Sequence, residues 1–351
     1  VYQKIGGFVE GVLGQNYHLE DGEIEALRLV FPEMAIQAPG DRDQLRREHG
    51  SLSDDEPDKN HDRRIPQRKK RKMGYQEKTQ LQTIQILKEN PIAPCEAIVK
   101  TEAWRDHENL RFKTMADREI KAAISSYKNS LTGWSMLDYQ KMYNNEKCVP
   151  IFSAGYCEFE KYYYNVHNSL KVMDELIDYQ FDSDHEAILD FVTCLFNVLE
   201  RNVPKLNTIV IHSAPSAGKN FFFDAVKDYY LNVGHIGNPT KYNGFPFQDA
   251  EGRRLLMWNE PNYSPEKLEE IKSILGGDTC TVKVKHLNDT VVYRTPVIVL
   301  TNNCVSFMEH NAFVDRIRVF QWQEAPFLRE YDKKPNPLAV YHFFKKYNLV
   351  E

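Results

Sequence analysis

Apolar positions along the chain follow three rhythms in succession. In residues 1–38, Ile5, Phe8, Val9, Val12 and Leu13, then Ile24, Leu27, Leu29 and Val30, predict two short helices, the tail of an upstream domain. From 39 to 73 apolar residues almost vanish, and an acidic stretch (Asp54, Asp55, Glu56, Asp58, Asp62) passes into a basic one (Arg63, Arg64, Arg68, Lys69, Lys70, Arg71, Lys72). Such a segment cannot bury enough surface to offset chain entropy and is expected to be a disordered linker. Its basic end reads equally as a nuclear-localisation signal or as a solvated tether. Residues 74–205 read as a helical domain. Its strongest helix joins a cap at Ser183 or Asp184 to a buried stripe of Ile188, Leu189, Phe191, Val192, Leu195, Phe196 and Leu199. Tyr162, Tyr163 and Tyr164 are expected to pack in a core and not to stack on bases, since only Lys161 interleaves with them.

After Asn207 the pattern changes to short β-branched runs alternating with helical segments. The expected elements are a strand Thr208–His212, a helix from about Lys219 to Leu231, a strand Leu255–Trp258, a helix Pro265–Leu275, a hairpin Val282–Tyr293 and a strand Val297–Thr301. This alternation predicts an α/β sheet over residues 206–325 with its chemistry at the strand C-termini, followed by a C-terminal extension at 326–351.

Composition narrows the class. With 42% hydrophobic and 27% charged residues the chain is neither collagenous, coiled-coil nor wholly disordered. A net charge of -5 excludes binding of nucleic acid by bulk positive charge, so any such binding needs a local basic element. Six cysteines without CxxC spacing read as reduced thiols of an intracellular protein, with no zinc cluster. The longest apolar runs are strand-length, so no membrane partner is expected. The chain starts at Val1 and is expected to be a segment of a longer protein.

The strand ending at Ile211 runs through His212 into Ser213-Ala214-Pro215-Ser216-Ala217-Gly218-Lys219-Asn220 and then an apolar helix. Strand, small-residue loop, Gly-Lys and helix wrap backbone N–H groups around a triphosphate, with Lys219 reaching the outer phosphates. The strict G-x-x-x-x-G-K-[ST] pattern fails at both ends, with Ser213 and Asn220, so an ordinary strand-to-helix turn is the competing reading. Two companions favour the nucleotide. Leu255–Asn259 ends in Glu260, an acid for metal and attacking water, and Val297–Thr301 ends in Asn302, an amide able to orient that water or sense the γ-phosphate.

With these motifs together, the sequence resembles the superfamily 3 helicases, and within them the large nonstructural replication-initiator proteins of parvoviruses, in the densovirus branch. The resemblance covers roughly residues 75–325. It rests on the phosphate loop, Gly244-Phe245-Pro246-Phe247-Gln248-Asp249, the strand through Glu260, Ile274-Leu275-Gly276-Gly277-Asp278, the hairpin lysines, Thr295–Asn302 and Asp315-Arg316. It implies a P-loop, AAA+-like sheet core preceded by a helical oligomerisation domain, using ATP and Mg2+. Lys219 would sit on the phosphates, Glu260 and Asn220 at magnesium, Asn302 as sensor, and Arg316 as a finger in a neighbour's site. Lys285 would grip single-stranded DNA in the channel of a homo-oligomeric, hexameric ring. Strand alternation would put Lys283 beside Lys285 and His286 opposite, making all three candidate DNA contacts. The implied activity is an ATP-dependent DNA helicase acting from a viral replication origin in the host nucleus. Asn220 and Asn259 depart from the family's usual Ser/Thr and acid. The alternative is therefore a nucleotide-gated DNA-binding or assembly module with weak or no hydrolysis; an ATPase of unrelated purpose is a third reading, which the hairpin lysines oppose. The family's nicking endonuclease needs a His-x-His pair, which is absent here, so nicking is expected of the parent protein only, and Tyr2 is not taken as its nucleophile.

Overall fold

The structure, a computed structural model, describes residues 74–286 and 288–350, which fall in one compact unit. The two expected N-terminal helices, the charged linker and Tyr2 lie outside the described residues. Up to Asn202 every named element is helical: α1 (Tyr75–Glu89), α2 (Glu102–Asp106), α3 (Arg118–Leu131), α4 (Met136–Tyr143), α5 (Phe159–Tyr162), α6 (Val166–Gln180) and α7 (His185–Leu199), with a 3-10 turn at Cys95–Lys100. The start of α7 is fixed by Asp184, whose carboxylate accepts the N–H groups of Glu186 (2.9 Å) and Ala187 (3.3 Å). Its stripe is buried through Ile188, Phe191, Val192, Leu195 and Leu199. Leu189, expected in that stripe, is 41% exposed because it stands one residue, roughly 100° around the helix, past Ile188. Of the tyrosine cluster, Tyr163 packs in the core, 2% exposed with its hydroxyl donating to Asp228 (3.2 Å), while Tyr162 and Tyr164 are half-buried.

From Thr208 onward come β1 (Thr208–Ser213), α8 (Lys219–Tyr229), β2 (Val233–His235), β3 (Leu255–Asn259), α9 (Leu268–Gly276), β4 (Cys280–Val282), β5 (Thr290–Val292), β6 (Val297–Thr301), β7 (Ile317–Trp322) and α10 (Ala339–Lys346). Five of the strands form one sheet in the order β2-β3-β6-β1-β7, each pair parallel. A parallel sheet covered on both faces needs continuous apolar strands, which is what Ile209-Val210-Ile211 and Val297–Leu300 supply. Alternation sends Ile209, Ile211, Met257, Ile298 and Leu300 to one face, where they meet Phe222, Phe191 and Phe343 of α8, α7 and α10. Val210, Leu256, Trp258 and Val299 point to the other, against Ile271 and Leu275 of α9 and Phe307. The sequence pattern did not reveal β2, three residues with a central glycine.

Helices and sheet share a core. Arg254, just before β3, is 1% exposed; its guanidinium donates to Trp134 O (2.8 Å), Leu199 O (2.8 Å) and Glu200 Oε1 (2.7 Å). Removing one partner of such a buried pair costs about 3–5 kcal/mol, because the other charge is left buried and uncompensated. Residues 326–350 return to the same core: α10 lies against α6 and α8 and buries Phe343 and Phe344.

One expectation fails locally. The hairpin is short: β4 ends at Val282, and Lys283, Lys285 and His286 stand in the connecting turn, His286 with φ 62. Strand alternation therefore does not put the two lysines on one side with His286 opposite; three paired residues on each side are too few to carry the pleat that far. β7 starts only at Ile317, where pairing with Thr208 begins, so Arg316 lies before the strand.

Candidate nucleotide site

Between β1 and α8 the chain turns through two left-handed residues, Ser216 (φ 63) and Gly218 (φ 83). Gly218 caps α8, and a Cβ there would meet Leu328 Cδ1 at 2.5 Å and Leu176 Cδ2 at 3.0 Å, so both backbone and space require glycine. Left-handed turns of this kind line up successive N–H groups as an anion-binding concavity. The first N–H groups of α8 have no partner within the helix and add the positive end of its dipole.

Lys219, the first residue of α8, reaches across to the end of β6. Its ammonium donates to Thr301 O (2.9 Å) and Asn302 Oδ1 (2.5 Å). The Asn302 N–H in turn donates to both carboxylate oxygens of Glu260 (3.1 and 3.0 Å). Glu260 directly follows β3 with φ 46 and is pinned by its own N–H donating to Leu300 O (2.8 Å). A left-handed glutamate stores strain, which the neighbouring strand holds in place. Burial pulls the Lys219 ammonium below its ordinary pKa, opposed by the charge of Glu260.

The strand order β3-β6-β1 thus sets Glu260, Asn302 and the loop side by side around a cleft of about 320 Å³, with Asn259 and Leu300 also in its wall. Among the described residues Lys219 is the only cation in its lining. A larger hollow of about 490 Å³ on the other side of Glu260 has no Lys or Arg in its lining, so a polyphosphate fits the smaller one. Of the loop residues, Ser213 is buried at the end of β1; Pro215, Ser216, Ala217, Gly218 and Asn220 line the cleft, while Ala214 is exposed and outside that lining. Asn220 is the second residue of α8, and the cap is Gly218, so Asn220 is not the helix cap. Among the described residues no group of three or more His, Cys, Asp and Glu is placed to hold a metal. The donors present, Glu260 and the Asn220 amide, suit a hard ion that shares its ligands with phosphate oxygens and water.

Two expected groups lie elsewhere. Arg316 stands beside Thr208, at the other end of β1, its backbone carbonyl accepting the Thr208 N–H (3.1 Å). A strand of this length spans roughly 17–20 Å, so Arg316 is remote from the cleft of its own chain. Its guanidinium donates to Ala312 O (2.7 Å) and faces Asp278 at 3.9 Å. The hairpin turn with Lys283, Lys285 and His286 follows α9 and projects exposed side chains.

Sequence reading missed the groups behind the loop. Gln180, the last residue of α6, donates from Nε2 to Ala217 O (3.0 Å), and Ala325 N–H donates to Ser216 O (3.1 Å). Neither has a local signal, since each meets the loop from a distant part of the chain.

A family model described as parvovirus non-structural protein NS1 matches residues 187–317, the stretch holding Lys219, Glu260, the hairpin lysines, Asn302 and Arg316. Initiator protein NS1 of Junonia coenia densovirus is 38% identical over 271 residues, 76% of this chain and 49% of that protein. Over residues 187–317 the chain is similar to the parvovirus NS1 family. Initiator protein NS1 of Bombyx mori densovirus is 38% identical over 193 residues, covering 53% of this chain and 22% of the relative. The chain spans about half the length of the Junonia coenia and Diatraea saccharalis densovirus NS1 proteins it matches. Among solved structures, an X-ray structure of the JCV helicase aligns with a TM-score of 0.43 at 10% identity over 69% of each chain. The apo NrS-1 C-terminal region aligns with 0.36 at 13% identity, over 50% of this chain and 43% of that one. Both likenesses are loose, and the fold assignment rests on the strand order above.

Proposed function

We propose that this chain is the ATP-dependent DNA helicase part of a viral replication initiator, working as a homo-oligomeric ring on single-stranded DNA. One observation supports it above the others: Lys219, Asn302 and Glu260 form a hydrogen-bonded chain across the C-terminal ends of β1, β6 and β3, beside a loop built to bind an anion. The loop and the first turn of α8 bind the phosphates through backbone N–H groups. Lys219 exchanges Thr301 and Asn302 for phosphate oxygens, which frees the Asn302 side-chain amide oxygen to orient a water molecule together with the Glu260 carboxylate, itself still held by the Asn302 backbone N–H. Glu260 is the group that takes its proton. Magnesium, when bound with the triphosphate, would neutralise charge on the phosphate oxygens, and Glu260 and Asn220 are the residues to hold it. Arg316, remote from its own cleft, is left to serve a neighbour's, which calls for a heterologous closed interface. The hairpin lysines and His286 supply a local basic element on a chain whose net charge is acidic. The basic run 63–72 supports work in the host nucleus at a viral origin, while nicking belongs to the parent protein. Steady-state ATPase assays with and without single-stranded DNA test this reading: stimulated hydrolysis is expected, and neither binding nor hydrolysis would end it.

Asn220 and Asn259 favour a second reading, a nucleotide-gated DNA-binding module that binds ATP but turns it over poorly. Magnesium titrations of Asn220→Ser and Asn220→Leu separate the two. As a ligand, Asn220 can be replaced by Ser with activity kept, whereas Leu raises the magnesium requirement; coincident midpoints would remove Asn220 from the metal site.

A further inference from the structure

The loop contains one glycine, Gly218, and a Ser where the usual pattern has its first. Ser216 nevertheless adopts φ 63. Holding a residue with a Cβ in that region costs about 1–3 kcal/mol, so contacts from outside the loop must fix it. Two do. The Ser216 carbonyl accepts the Ala325 N–H, and the Ala217 carbonyl accepts the Gln180 side-chain amide. Gln180 is 6% exposed, and its amide is engaged on both atoms: Nε2 donates also to Gln323 O (2.9 Å), and Oε1 accepts the Gln323 N–H (2.7 Å). It therefore bridges α6, the loop and the segment that follows β7. A trans peptide unit is planar, with its C=O and N–H pointing opposite ways. Anchoring the Ser216 and Ala217 carbonyls on the α6 side turns the N–H groups of Ala217 and Gly218 away from it, towards the cleft.

We infer that Gln180 is a positioning residue for the nucleotide: its buried amide aims the Ala217–Gly218 peptide at the phosphates. It does from α6 what an extra glycine does inside an ordinary phosphate loop. Gln180 and Gln323 both lie outside the stretch matched by the NS1 family model. The inference rests on the assignment of this cleft to a nucleotide, and deepens it.

The test uses the whole chain and three variants. Gln180→Glu keeps an acceptor for the Gln323 N–H but sets a carboxylate oxygen against the Ala217 carbonyl. Gln180→Met removes both hydrogen-bonding atoms at similar size. Gln323→Ala loses the contacts of its own side chain, to Tyr179 O and Asp182, and keeps the backbone groups that meet Gln180. Both Gln180 variants should raise the KM for ATP about tenfold, the worth of one well-aimed hydrogen bond, with kcat within about threefold of wild type. Gln323→Ala should leave KM unchanged. A merely structural Gln180 would lower the Tm without moving the KM of the folded protein. Unchanged KM in the Gln180 variants, or an equal rise in Gln323→Ala, overturns the inference and leaves the nucleotide assignment standing. Wild-type chain that fails to bind ATP overturns both. Hydrogen exchange on the wild type decides the matter even where variants misfold: ATP should protect the Ala217 and Gly218 amides, and exchange unaltered by bound ATP rules the aiming out.

Discussion

Replacing Lys219 by alanine removes the only cation among the described residues that line the cleft and leaves the Glu260 carboxylate facing the triphosphate. In the free protein the lysine makes two hydrogen bonds, to Thr301 O and Asn302 Oδ1, and burial already disfavours its charge. Each such bond is worth about 1 kcal/mol net, and the adverse burial offsets part of that, so the Tm should fall by only a few degrees. The catalytic loss is larger. A preorganised donor aimed at charge that develops in the transition state is worth about 2.7–4 kcal/mol. At about 1.36 kcal/mol per tenfold, turnover should drop by roughly 10² to 10³. Phosphate release at saturating ATP and magnesium, with the Tm measured on the same preparation, checks both numbers. Turnover within tenfold of wild type in a folded variant would refute the role given to Lys219 and, with it, the nucleotide assignment.

Mixing Arg316→Ala subunits with Glu260→Gln subunits should restore part of the ATPase activity, because some junctions pair an intact finger with an intact carboxylate; no rescue in demonstrably mixed assemblies counts against sharing in trans. Replacing Lys283 and Lys285 together by alanine should flatten the salt dependence of single-stranded DNA binding by about 0.7 in logarithmic slope for each lost phosphate contact, with ATP binding intact, and an unaltered slope removes the hairpin from the DNA. Burial raises the pKa of Asp228 against the opposing charge of Lys227, 3.8 Å from its Oδ1, an oxygen with no hydrogen-bond partner among the described residues. Its protonated form therefore contributes stability that is full below the ordinary carboxylate range and is lost as pH rises through the raised value. Asp228→Asn should raise the Tm at pH 7 and lose that advantage near pH 4; the same difference at both pH values would refute the charge argument.

What sequence reading could reach was local. A run such as Val297–Thr301 announces a buried parallel strand by its own composition, and the polar residue after it announces a strand end. The α7 cap and stripe are likewise contained in one window of residues. Nothing local marks β2, whose three residues become a strand only because β3 offers them partners. The hairpin shows the same limit from the other side: its β-branched residues are real strand formers, yet only Cys280–Val282 and Thr290–Val292 find partners, so the lysines fall in the turn.

The site itself divides along that line. Lys219, Glu260 and Asn302 were each legible as the ends of separate motifs, but their meeting depends on β6 lying between β1 and β3, a property of the sheet and of no single segment. Once that order exists, Thr301 and Asn302 at the end of β6 are within reach of both neighbours, and the Lys219–Asn302–Glu260 chain follows from strand spacing of about 4.8 Å. The same order accounts for Arg316. It precedes β7, which runs parallel to β1, so it must lie at the end of the sheet opposite the loop. Parallel pairing thus separates the cation before a strand from the chemistry after it, so under the proposed function Arg316 meets that chemistry in the cleft of a second subunit.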